Sequence, residues 1–167
     1  MTAGRRIALT VGVLVALAIP ALATAHPLGN FTINHYAGIR VAERSISLDI
    51  VIDHAEIPAF AERQRIDRDR DGTVSAAEAE AERAAACVTL AIDLRLEVGG
   101  VAQRLSPVVA GLSFPAGAGG LPTLRLVCGY EVALAGPLAP DSTISFSDDS
   151  DAARIGWREI VVVGDGV

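Results

Sequence analysis

Residues 31–53 read FTINHYAGIRVAERSISLDIVID, and their pattern decides the fold. Apolar and polar side chains alternate through 31–41 and again through 45–53, the period of strands with one face on a core. Ala42, Glu43 and Arg44 separate the two runs as a turn. Working outward, further strands are expected at 94–98, 123–134, 142–147 and 156–163. Gly99-Gly100 is a hairpin-turn candidate, 116–122 is a Gly-rich loop, and Leu138-Ala139-Pro140-Asp141 punctuates another connection. About seven short strands with regular turns predict a mainly β fold, an antiparallel β-sandwich. Trp157, the single tryptophan, is expected to fill its core.

An insertion of different character, at about 56–87, follows the second strand. Residues 56–66 (EIPAFAERQRI) place Ile57, Phe60 and Ile66 as the apolar face of an entering helix, with Pro58 in its first turn. Residues 76–86 are almost entirely Ala, Glu and Arg, which favours a second helix. Between them lies DRDRDGTVSAAE, residues 67–78, which matches a twelve-residue EF-hand calcium loop. Asp67, Asp69 and Asp71 fall at loop positions 1, 3 and 5, and Gly72 at position 6 permits the sharp turn. Thr73 would offer its backbone carbonyl, Ser75 would ligate through a water, and Glu78 would close the site with two carboxylate oxygens. Val74 at position 8 would anchor the loop to a core or to a partner loop. The competing reading is a solvated, Asp-rich turn between two helices.

The oxygen-only donor set suits Ca²⁺ and speaks against zinc or nickel at this loop. Magnesium requires a tighter octahedron and keeps more waters. Arg68 and Arg70 point outward at positions 2 and 4 and lower the local negative potential. Asp148, Asp149 and Asp151 form another acidic group but lack the glycine and the closing glutamate, so no second hand follows. A single hand should bind weakly, at ~10⁻⁴ to 10⁻³ M, as extracellular calcium modules do.

Residues 1–25 carry the marks of a secretory signal peptide: Arg5 and Arg6, an apolar stretch from 7 to 19, and Ala23-Thr24-Ala25 before His26. An uncleaved N-terminal anchor is the alternative, although the run is shorter than the roughly 20 residues that span a bilayer. An exported chain is therefore expected, with a mature domain over 26–167. The full chain has 14 basic and 20 acidic residues. Loss of Arg5 and Arg6 leaves 12 against 20, a balance that argues against nucleic acid and anionic membrane surfaces as partners. In an exported chain the two cysteines, Cys87 and Cys128, are expected to form one disulfide, with buried free thiols as the alternative. Closing that loop stabilises by up to ~4 kcal/mol in the chain-entropy model.

The three histidines, His26, His35 and His54, all lie early in the chain. After cleavage, the His26 amine and imidazole could chelate Ni²⁺, Co²⁺ or Cu²⁺, with His35 or His54 as a further ligand. Ordinary surface or half-buried histidines are the plainer reading, with His35 facing out from its strand and His54 at the strand-to-helix corner. No nucleophile elbow, zinc-protease helix or phosphate loop is present, so an enzyme is not expected.

Residues 26–36 (HPLGNFTINHY) and 51–65 (VIDHAEIPAFAERQR) resemble the exported N-terminal domain of bacterial nickel/cobalt transporters. Some members carry a similar Asp-rich loop after an EIPxF segment. The resemblance implies a role near nickel or cobalt movement, with a membrane metal transporter as partner. This chain lacks that family's transmembrane helices and intramembrane ligands, so transport by this chain alone is not expected. It reads either as a truncated or split relative or as a stand-alone version of the domain.

Overall fold

β1 (Ile33–Ala42) and β2 (Ser45–His54) form the antiparallel hairpin that the alternation predicts, with Ile33 opposite His54 and Val41 opposite Ile46. The computed structural model containing them describes residues 29–166, together with Gly4. The expected signal peptide and His26 lie outside the described residues. β2 next pairs with β6 (Leu124–Ala133), β6 with β5 (Pro107–Ser113), and β1 with β8 (Arg158–Asp165). The resulting five-stranded sheet has the order β5-β6-β2-β1-β8. A three-stranded sheet, β4-β3-β7, comprises β3 (Leu94–Val98), β4 (Val101–Ala102) and β7 (Ile144–Asp148).

The chain is thus mainly β, as expected, with one departure from the purely antiparallel arrangement. β8 runs parallel to β1, so the larger sheet is mixed. The strands at 94–98, 123–134, 142–147 and 156–163 are all found to within a few residues, and Gly99 and Gly100 turn with positive φ between β3 and β4. β5 was not anticipated.

Ile46, Leu48, Ile50, Ala37 and Ile39 of the larger sheet share one core with Leu94 and Leu96 of the smaller. Each fully buried aliphatic side chain contributes about 1.5–3 kcal/mol. The core also takes in one face of a long helix. α1 (Glu56–Ile66) follows β2, and α2 (Ala76–Asp93) runs directly into β3. α2 extends seven residues beyond the expected 76–86 because its second half is no longer Ala-Glu-Arg: Cys87 and Leu90 bury against the sheet. Cys87 therefore sits within the helix, and it is disulfide-bonded to Cys128 on β6 with the Cα atoms 5.5 Å apart. The Tyr130 hydroxyl donates to the Cys87 carbonyl at 2.7 Å beside that bridge.

Two expectations about packing are corrected. Trp157 is 51% exposed instead of filling the core, because it stands at the entrance to the edge strand β8. Of the three residues assigned to the apolar face of α1, only Ile66 is buried, while Ile57 and Phe60 are largely exposed. α1 packs instead through Pro58, Ala59 and Ile66, and the small Ala59 lets it lie close. Ala59, Ile66 and Leu124 make a second small core, against which Val74, Leu112 and Phe114 pack. Among the described residues, no helix is long and apolar enough to cross a membrane.

Candidate metal centre

The segment between α1 and α2 is a tight acidic bend. α1 stops at Ile66, and Asp67 caps its end with its N–H donating to the Arg63 carbonyl at 2.9 Å. The next residues wind around the Asp67 carboxylate. The N–H groups of Asp71 and Gly72 donate to its two oxygens at 3.1 and 2.9 Å. Gly72 turns with φ +89°, a conformation that a Cβ resists. Asp69 accepts from the Asp71 N–H at 3.2 Å, and Asp71 accepts from the N–H and hydroxyl of Thr73 at 2.8 and 2.7 Å.

Asp67, Asp69 and Asp71 each offer one carboxylate oxygen within 4.8 Å of the others, the one such group of three candidate ligands among the described residues. Like charges held this close repel. Although the Asp71 N–H draws the Asp69 pKa down, the charge of Asp71 and the other neighbouring acids push it up. A divalent cation would relieve that repulsion. Val74 tethers the bend to the small core under α1, the anchoring expected of it.

The far side of the bend is set by α2. Ser75 is its N-cap, accepting from the Glu78 N–H at 3.3 Å, while Glu78 accepts from the Ser75 N–H at 2.9 Å. This reciprocal capping box satisfies two donors that a helix start otherwise leaves open. The other Glu78 oxygen accepts from the Arg68 N–H at 2.6 Å, closing the bend end to end. Hydrogen bonds from Ser75 and Arg68 hold its carboxyl down at about 2, so it is ionised at any ordinary pH. Glu78 therefore has a local structural task that does not depend on an ion. Arg65 of α1 reaches Glu82 of α2 at 2.5 Å and fastens the two helices beyond the bend.

His35 and His54 lie on the same face of the β1–β2 hairpin, one step apart diagonally. The expectation that His35 faces out is corrected: it is 3% exposed, in phase with Ile33, Ala37 and Ile39. Its Nδ1 lies 2.8 Å from Asp148 Oδ2, and its Nε2 lies 3.6 Å from Asp151 Oδ2. Burial draws the His35 pKa down, but these carboxylates outweigh it and hold the value above the ordinary one. Arg158 adds a second cation at 3.1 Å from Asp148. Ligation of a metal by His35 would thus require it to exchange these contacts. His54 stands at the strand-to-helix corner as expected, its pKa lowered by burial, with Asp151 and Glu62 opposing. Among the described residues, His35 Nε2 and His54 Nδ1 are both buried without a hydrogen-bond partner. Asp148 and Asp151, which lack the glycine and glutamate of a calcium loop, are instead partners of His35. The period-two phase of His35 with Ile33 and Ile39 signals that it faces the core, but nothing local to β1 points to these partners.

No known protein family, curated protein or solved structure matches this chain.

Proposed function

We propose that the chain is an exported, non-enzymatic calcium-binding domain, a β-sandwich carrying one EF-hand between its second and third strands. The observation that carries this reading is the convergence of Asp67, Asp69 and Asp71 within 4.8 Å, in a bend with a positive-φ glycine at its sixth position. Asp67, Asp69 and Asp71 supply side-chain oxygens, Thr73 a carbonyl, Ser75 a water-bridged contact and Glu78 the closing carboxylate. Calcium orders the bend and fixes α1 relative to α2. At ten times its dissociation constant it stabilises the fold by about 1.4 kcal/mol, so the role is structural or conditional. That corresponds to a melting rise of roughly 4 °C. Calcium should produce this rise, and Asp67→Ala should abolish it. An unchanged melting point at millimolar calcium sinks the reading.

A second reading follows from two imidazole nitrogens that lack a hydrogen-bond partner among the described residues, His35 Nε2 and His54 Nδ1, on one face of the hairpin. Together with the resemblance to exported domains of nickel/cobalt transporters, they support a transition-metal site that hands its ion to, or receives it from, a membrane partner. His26 would complete it. Calorimetric titration with Ni²⁺ tests this: His54→Ala, or one residue added before His26, should abolish the heat while leaving calcium binding intact. Equal nickel binding by both variants excludes the site.

A further inference from the structure

The two edges of the five-stranded sheet are built differently. β5, at one edge, opens with Pro107 and shifts register between Pro107 and Val109. α2 lies along it, and Arg83 donates to the Ala110 carbonyl at 2.8 Å. A proline, a bulge and a covering helix are the devices that stop a sheet edge from recruiting another strand. Among the described residues β8, at the other edge, has none of them. Among the described residues its one neighbour is β1, and its centre, Ile160 to Val163, carries no charge.

The outward face of this edge is well defined. The carbonyls of Ile155 and Trp157 accept from the N–H groups of Ile33 and His35 at 2.8 and 3.0 Å. In a parallel ladder the alternate residues then turn their N–H and C=O groups the other way. Arg158, Ile160, Val162 and Gly164 therefore present theirs to the outside. Ile160 and Val162 also lie beside Ala37 and Ile39, on the core side of the sheet, yet they are 53% and 62% exposed. The apolar face of the sheet simply runs out into solvent at this strand.

We propose that β8 is the seam of a two-fold dimer, in which β8 of one copy pairs antiparallel with β8 of a second copy. The strand is self-complementary in the register centred on Val161. A two-fold axis normal to the sheet places residues of the same face opposite each other. With Val161 on that axis, Ile160 faces Val162, Glu159 faces Val163 and Arg158 faces Gly164. The outward-turned pairs, Ile160 with Val162 and Arg158 with Gly164, are then the ones that exchange hydrogen bonds. Moving the axis to Val162 sets Glu159 against Asp165, and like charges directly opposite are destabilising. The favoured register joins two five-stranded sheets into one continuous sheet and covers both exposed apolar pairs.

Sedimentation velocity on the purified protein should show a concentration-dependent dimer. Val162→Pro removes an outward N–H and spares the β1 ladder, so it should eliminate the dimer without lowering the monomer's melting point. A protein that stays monomeric at all concentrations overturns the proposal, as does a Val162→Pro dimer equal to the parent. Cross-linking decides independently of that variant's folding. Val161→Cys should face its own copy across a non-hydrogen-bonded pair, where Cα atoms sit about 4.5 Å apart, within disulfide reach. Oxidised glutathione should convert it to a covalent dimer, whereas Val163→Cys, facing Glu159, should remain largely monomeric. Equal cross-linking of the two, or none of Val161→Cys, rejects the register. Retention of a foreign peptide along β8 in place of a second copy also rejects it.

Discussion

Nδ1 of His35 lies 2.8 Å from Oδ2 of Asp148, 113 residues further along the chain, and this buried pair fastens β1 of the larger sheet to the end of β7 of the smaller. Asp151 approaches the other ring nitrogen, and Arg158 donates to the Asp148 backbone carbonyl at 3.0 Å. Loop, strand and sheet are pinned at one point.

Removing the imidazole leaves Asp148 buried with less compensation. His35→Ala should cost roughly 3 kcal/mol, the scale for breaking a buried pair from one side. The pH dependence has a definite sign. The pKa of His35 is raised in the fold, so its stabilisation is full below its unfolded value and is lost as pH climbs through the folded value. Asp148 has the opposite sense: burial raises its pKa, but the hydrogen bonds from His35 and Ser150 win and lower it. Its contribution is present above the unfolded carboxylate value and disappears as pH falls through the folded one. The melting temperature of the parent should therefore drop on the alkaline side of the histidine range, and that drop should be missing from His35→Ala. Parallel melting curves for the two proteins across pH would rule out this account.

Gly156, just before β8, is held against the backbone of β1. A Cβ there would stand 1.7 Å from the Ile33 carbonyl oxygen. Gly156→Ala must push β8 away from β1 or distort both, at a cost of about 3 kcal/mol. Hydrogen exchange at the His35 amide, which donates to the Trp157 carbonyl, should accelerate in the variant. Unchanged protection would show that the strand entrance is looser than described.

Gly72 tests the bend itself. Gly72→Ala keeps every candidate ligand but strains φ +89° by about 1–2 kcal/mol. Among the described residues nothing lies within 4 Å of the added carbon, so crowding does not contribute. The variant should melt lower in chelator and gain less from calcium than the parent, while Gly72→Asn should fall between them. A Gly72→Ala protein as stable as the parent would show that the bend can adopt another path.

Much of the β framework was legible because β1 and β2 alternate cleanly and each buries one face. β5 escaped notice because PVVAGLS starts with a proline and does not alternate: it is covered by a helix on one side and is mostly part-exposed. α2 was cut short for a related reason, since helix propensity fades after Ala86 and tertiary burial of Cys87 and Leu90 carries the helix onward. The acidic bend could be read residue by residue because its ligand offsets are local. The His35 cluster could not, since its members meet only when β1, β7 and β8 converge. Trp157 shows the limit of assigning large aromatics to a core by size alone.

The disulfide between Cys87 and Cys128 grips α2 near its middle, and the Tyr130 hydroxyl adds a second hold at the same turn. The helix is thus a spar with several fixings: the bridge at Cys87, the Arg83 contact to the Ala110 carbonyl nearer its start, and Val74 packed beneath the bend that precedes it. The acidic bend is therefore joined to the sheet through a continuous row of contacts along one helix.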